Sequence, residues 1–236
     1  MQSGLLGWWT FDGKDTNWKT GTTTDKTGNG NTGRLIAMST TTSVVPGKLG
    51  QALRFDTSAK NYVVTPATTA LSFNNGTTDT PFSISAWVYN SGGVSIVSKT
   101  SLASNLFEYA ASVDSTGLLS FVLYNKDTGG DHTFANSTNA YTADLNHWAH
   151  YVFTYDGSGS NAGLKIYRNG VSIAVTPGNL GNPYVSMTAA NLPVQIGAFQ
   201  ATGSFKALSK GLIDDVRIYS RALSPTEVAR LYGGGR

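Results

Sequence analysis

Glu108 is the residue best suited to acid or base chemistry, because only two glutamates occur in the chain and Glu227 sits where a helix would begin. Cleaving a glycosidic bond needs two carboxyl groups held across it, and no acidic residue stands two or four positions from Glu108. Asp114 and Asp127 could approach it only from turns. Glu108 is therefore expected as an exposed strand residue or a ligand hydrogen-bond acceptor, and as the first catalytic candidate if the protein is an enzyme. His147 and His150 flank Trp148, and a three-residue step along a strand sends them to opposite faces, so they do not grip one metal. No nucleophile-elbow sequence, phosphate-binding glycine loop or zinc motif is present.

Aromatic rings beside amides suggest a second kind of chemistry. A sugar is held by stacking its apolar face on a ring while amides and carboxylates pair its hydroxyls. Trp87, Tyr89 and Asn90 share the end of one apolar run, Tyr124 and Asn125 end another, and His132, Trp18 and Tyr141 fall in expected loops. Each could equally be a packing or turn residue.

The elements that must position these groups are short. Apolar or alternating runs at 5–11, 52–55, 62–65, 82–89, 95–98, 107–113, 119–124, 149–155, 164–168, 171–175, 194–196 and 212–219 lie between Gly, Asn, Asp and Thr clusters, which predicts an antiparallel sandwich or barrel. In 82–89, Ile84, Ala86 and Val88 should face the core, with Ser83, Ser85, Trp87 and Tyr89 on the other face. Asn169-Gly170 between two such runs predicts a hairpin. Ser224-Pro225-Thr226-Glu227 predicts the one helix, with a capping residue, a proline in the first turn and a capping-box glutamate.

Composition limits the partners. Charged residues are 13%, about half the usual share, while hydrophobic residues make up 40% and glycines number 27. The net charge of +3 is spread over isolated Lys and Arg residues, with no run to attract nucleic acid. No stretch reaches the ~18 apolar residues of a membrane span, and residues 1–6 are too short for a signal-peptide core. The chain thus reads as a soluble piece of a longer extracellular or cell-surface protein, with one domain at 1–232 and a glycine-rich tail or linker at 233–236. Without cysteine, neither disulfides nor thiolate metal sites are available.

Several motifs in order resemble the laminin-G-like jelly roll of bacterial surface proteins, a concanavalin A-like fold. They are Gly7-Trp8-Trp9-Thr10-Phe11-Asp12-Gly13, the segment 25–33 (Asp-Lys-Thr-Gly-Asn-Gly-Asn-Thr-Gly), Gly50-Gln51-Ala52-Leu53-Arg54-Phe55-Asp56 and 82–88. Trp148-Ala149-His150-Tyr151-Val152-Phe153-Thr154-Tyr155-Asp156-Gly157, 164–170, Gln195-Ile196-Gly197 and 211–223 complete the pattern. The resemblance implies an all-β antiparallel sandwich whose first and last strands meet, and a packing role for Trp87. Jelly-roll lyases typically carry Gln-Ile-His where this chain has Gln195-Ile196-Gly197. Meeting terminal strands could gather Asp12, Asp25, Asn29, Asn31 and Asp214 as oxygen ligands for a structural calcium, which family members often carry. Asx turns at Asp25 and Asn29 are the alternative. The implied function is a non-catalytic carbohydrate-binding or adhesion module of an extracellular bacterial protein, with a glycan or polysaccharide as expected partner and a surface protein as a second candidate. The alternatives are a glycoside hydrolase or lyase of the same fold, or a spacer that binds proteins only.

Overall fold

The computed structural model describes residues 2–75, 77–101, 106–125, 131–201 and 204–234, with the backbone alone at 201 and 204–207. In chain order the strands are β1 (Leu5–Trp9), β2 (Thr16–Asn17), β3 (Thr22–Thr23), β4 (Gly33–Ile36), β5 (Val44–Pro46), β6 (Gln51–Phe55) and β7 (Tyr62–Val64). There follow β8 (Phe82–Asn90), β9 (Val94–Thr100), β10 (Phe107–Val113), β11 (Leu119–Tyr124), β12 (His132–Ser137), β13 (Trp148–Tyr155) and β14 (Leu164–Arg168). The last are β15 (Val171–Ser172), β16 (Val175–Leu180), β17 (Val194–Ile196), β18 (Ala198–Ala201), β19 (Ser204–Leu208) and β20 (Gly211–Tyr219), before helix α1 (Pro225–Gly233).

Two antiparallel sheets enclose one core. The first runs β15-β14-β13-β8-β20-β6-β5, with β1 also on β20; the second runs β16-β12-β11-β10-β9-β17-β7-β4-β3-β2. Alternation sends Ile84, Ala86 and Val88 of β8 inward to meet Phe121, Leu123 and Ile96 of the facing sheet, all at most 1% exposed. As expected, the first and last strands meet: Leu5 pairs with Tyr219 and Trp9 with Val216. Asn169 and Gly170 take φ of 51° and 85°, the left-handed pair that a tight hairpin between β14 and β15 requires.

The helix is capped as expected. Ser224 Oγ accepts from Glu227 N while Glu227 returns to Ser224 N, and Val228 and Leu231 bury against Val152, Tyr167, Tyr219 and Leu223 on the outside of the first sheet. This packing covers the face that carries Trp87. Among the described residues no helix is long and apolar enough to cross a membrane.

Candidate functional site

The outer face of the second sheet carries the sugar-type chemistry. On β11, Leu119, Phe121 and Leu123 enter the core, so Ser120, Val122 and Tyr124 face out; on β12, Ala135 is internal and His132, Phe134 and Asn136 face out. Register aligns these side chains in rows, because directly paired residues share a face. Leu180 pairs with His132 and His132 with Tyr124, and the Tyr124 ring lies 5.3 Å from that of His132 and 5.0 Å from that of Phe107. Phe199, on β18, stacks on Phe107 at 6.0 Å with the planes only 6° apart.

The next row places Phe134, 5.8 Å from His132, opposite Gly178. A Cβ at Gly178 would fall 2.5 Å from that ring, so glycine is what lets Phe134 lie flat over β16. One step further the row turns polar, with Thr176 opposite Asn136 and Asn136 opposite Ser120. Asn136 Oδ1 has no hydrogen-bond partner within the protein. Tyr124, His132, Phe134 and Phe199 are half-buried and Leu180 is 60% exposed, so these five open to solvent, while Phe107, at 8%, is buried between Tyr124 and Phe199. Burial pushes the Tyr124 phenol up to about 12, leaving it a neutral hydrogen-bonding group.

The structure thus joins two expected residues, Tyr124 and His132, and adds Phe107, Phe134 and Phe199. His132 is corrected from a loop to a strand residue. The neighbouring Asn125 is 5% exposed and fastens the 183–187 segment: its Oδ1 accepts from Val185 N and its Nδ2 donates to Pro183 O.

Other expected ligand contacts lie elsewhere. Trp87 has the expected outward register but is 2% exposed, covered by Tyr232 of the helix at 5.6 Å and by Lys48. His150 lies beside it; burial lowers its imidazole to about 3, and Nε2 meets Ser85 Oγ at 2.9 Å. Asn90 is 1% exposed and organises a turn, accepting from Gly92 N and Gly93 N and donating to Asp114 O. Tyr89 stays half-exposed on the first sheet, beside Trp148. Trp18 and Tyr141 pack against the core.

Glu108 is corrected from a surface residue to a fully buried one. A bulge between Phe107 and Tyr109 sets it beside Lys99, whose Nζ donates to Glu108 Oε1 at 3.0 Å. Ser72 Oγ and Ala190 N donate to the same oxygen. Burial raises the Glu108 carboxyl to about 7 despite the lysine. Asp127, its imagined partner, lies outside the described residues.

The expected calcium ligands divide into two groups. Asp25 Oδ1 accepts from Trp8 N, Thr27 N and Thr27 Oγ1, and Oδ2 accepts from Asn31 N and Nδ2, which makes 25–31 a self-closed loop. Asn29 and Asn31 both donate Nδ2 to Leu6 O. Asp12 and Asp214 lie instead against the 47–51 turn: Asp12 Oδ1 accepts from Gln51 N at 2.9 Å and Asp214 Oδ2 from Leu49 N at 2.8 Å. There β20 exchanges its neighbour β6 for β1 through a break at Asp214 and Asp215, the latter at φ 51°. Asp214 Oδ1 is buried with no partner, and burial raises this carboxyl to about 7. A cavity of about 180 Å³ opens between Asp12, Asp15, Asp214 and Asp215, where Lys26 pairs with Asp15 and Arg217 with Asp215. Among the described residues no three acidic, histidine or cysteine side chains converge as a metal-binding group.

Comparison with known proteins agrees with this architecture. Over 98% of both chains, the fold matches domain 4 of AbnA, a GH43 extracellular arabinanase from Geobacillus stearothermophilus solved with arabinotriose, at 20% identity and a TM-score of 0.62. It also matches the binding domain of Paraclostridial Mosquitocidal Protein 1 at 16% identity and TM-score 0.66, over 98% of this chain and 52% of that one. The binding domain of botulinum neurotoxin DC, solved with SialylT, matches at 15% identity and TM-score 0.64, over 99% of this chain and 52% of that one. The chain spans about half the length of these two toxin domains, and at such identities the likeness is one of fold. No curated protein matches by sequence. The profile of the laminin-G-like family described as the concanavalin A-like lectin/glucanases superfamily matches residues 56–229. Together with the two packed antiparallel sheets, that match over most of the chain places this protein in the laminin-G-like family of the concanavalin A-like lectin/glucanases superfamily.

Proposed function

We propose that this domain is a non-catalytic carbohydrate-binding module that holds a polysaccharide against the outer face of the ten-stranded sheet. The observation that carries the reading is the row Leu180, His132, Tyr124, Phe107 and Phe199, flanked by Phe134 and then by Asn136 and Ser120. Rings stack on the apolar faces of sugars, and the polar row of Thr176, Asn136 and Ser120 takes their hydroxyls. The exposed part of the row on β16, β12 and β11 spans two strand spacings, about 10 Å, which suits linked sugars better than one terminal sugar. Glu108, the first acid or base candidate, is shut away from any such ligand. The fold is shared with a domain solved with arabinotriose, which makes arabino-oligosaccharides the first probes.

The module acts outside the cell as part of a longer surface or secreted protein, consistent with its sparse charge and polar surface. Calcium belongs to the proposal in a narrower form, held by Asp12 and Asp214 beside the 47–51 turn and adding stability by mass action. Glycan arrays and affinity electrophoresis in polysaccharide gels test the binding reading. Retardation by at least one polymer, lost in Tyr124→Ala and Phe134→Ala variants with unchanged circular dichroism, is expected. Absence of any saccharide above background overturns it.

A further inference from the structure

Helix α1 covers only part of the outer face of the first sheet. One register step from Trp87, a second row crosses four strands: Trp148 pairs with Tyr89, Tyr89 with Leu212 and Leu212 with Arg54. Their chain neighbours Ala149, Val88, Ile213 and Leu53 all lie in the core, so alternation turns these four outward together. Tyr89 and Trp148 meet edge to face at 5.9 Å, and Tyr89, Trp148 and Leu212 are half-exposed while Arg54 is exposed.

Lys210 adds a second cation. Its backbone is tied to the 91–93 turn through Ser91 N to Lys210 O and Lys210 N to Gly93 O. Its stem crosses Gly92, where an added Cβ would sit 2.9 Å from Lys210 Cδ, so the glycine is a slot that fixes the direction of the ammonium. A cavity of about 320 Å³ lies between Arg54, Tyr89, Ser91, Lys210 and Leu212, and one of about 410 Å³ adjoins it at Arg54 and Asp56. Asp56 lines both cavities as well; its Oδ1 accepts from Ser58 N and Oγ at 2.8 and 2.6 Å, and these bonds, with Lys210 nearby, hold its carboxyl below the usual range. Among the described residues neither Arg54 nor Lys210 forms an ion pair.

We infer that this row is a second saccharide platform, specific for an acidic sugar, in which the face of a hexuronate stacks on Tyr89, whose ring Trp148 supports edge to face, and its carboxylate is held by Arg54 and Lys210. Guanidinium matches carboxylate with two parallel hydrogen bonds, ammonium adds a point charge, and the rings supply the dry surface that a lone cation pair lacks. Among the described residues the ten-stranded face offers aromatic rings without such a pair, so the two faces select by charge. The inference extends the carbohydrate reading to another surface and does not depend on the row around Tyr124.

Titration of tri-galacturonate, and of its fully methyl-esterified form, into the whole chain by calorimetry or NMR tests it. Tri-galacturonate should bind, with affinity falling at least tenfold on esterification, in Arg54→Met/Lys210→Met, and between 0.05 and 0.5 M salt, about 1.4 kcal/mol per tenfold. Arg54 and Lys210 are exposed, so the variant keeps its fold, checked by an unchanged melt. Tyr124→Ala should leave uronate binding intact. Equal binding of the ester, equal binding by the double variant, or no uronate binding while neutral glycans bind at the Tyr124 face each overturns the inference. If uronate binds at Arg54 and no neutral polymer binds anywhere, this inference stands and the reading of the Tyr124 row fails.

Discussion

Replacing Lys99 by methionine should be among the most damaging single changes in the fold. Its Nζ donates to Glu108 Oε1 at 3.0 Å and to the carbonyls of Thr68, Ala190 and Leu192 at 2.9, 3.1 and 2.9 Å, and both charged side chains are 0% exposed. Without the ammonium, Glu108 must stay buried and unpaired or take a proton. With the carboxyl already raised to about 7, half of it is protonated at pH 7, so completing the protonation costs only about 0.4 kcal/mol. Three carbonyls left without a donor add about 1–2 kcal/mol each, so the total is about 3–6 kcal/mol against a domain stability of order 5–15. Proton uptake carries a signature. Because the unmodified chain's carboxyl ionises above about 7 while the variant's must stay protonated, the loss in Lys99→Met should grow by about 2 kcal/mol between pH 7 and 9. Glu108→Gln keeps the Oε1 acceptor for Ser72 and Ala190, and should cost about 1–3 kcal/mol. Joined to Lys99→Met, it should partly rescue that variant at pH 9, where the glutamate must otherwise hold a proton. Urea unfolding followed by tryptophan fluorescence reads all three proteins. A loss below about 1 kcal/mol in Lys99→Met, or one that does not change with pH, would refute the reasoning.

Asp214 offers a second pH test. Burial raises its carboxyl from 3.8 to about 7, so the folded state binds the proton more tightly and this stabilisation is present at low pH and lost as pH rises from about 4 through 7. Asp214→Asn should flatten that part of the stability profile; so should millimolar calcium on the unmodified chain, if the metal proposal holds, and a melt unmoved by calcium or chelator counts against it. Glu227 has the opposite sign: the Arg221 guanidinium and Ser224 hold it down near 2, so its contribution is lost only as pH falls from about 4.5 toward 2. Ser224→Ala removes the cap and should cost about 1 kcal/mol, read by thermal melt. Deleting residues 224–236 uncovers Trp87 and should shift tryptophan emission to the red; unchanged emission would mean that the helix does not shield it.

Much of the fold was legible because its signals are local. The 82–89 alternation, the Asn169-Gly170 turn and the Ser224 to Glu227 cap each depend on backbone geometry within a few residues, and each forms as expected. Strand β12 was missed because His132 and Asn136 break its apolar alternation, and β18 and β19 because their short polar-mixed runs resemble loops. Neither signal was strong enough to stand without a neighbour.

The site was legible only in part, and the division has a physical cause. Sequence alone determined that aromatic rings and amides are plentiful, that Trp87 and Tyr89 point away from the core, and that no pair of acids stands at glycosidase spacing. Tertiary structure decided which of those groups meet a ligand. The same outward register leaves Tyr89 half-exposed and Trp87 covered, since a helix more than a hundred residues along the chain lies on one and stops short of the other. Likewise the Phe107 bulge buries Glu108 against Lys99, and register across β16, β12 and β11 gathers Leu180, His132 and Tyr124 from separate stretches of chain. Alternation assigns a side chain to a face, but its exposure depends on what else packs there, and contacts of that kind are not written in local sequence.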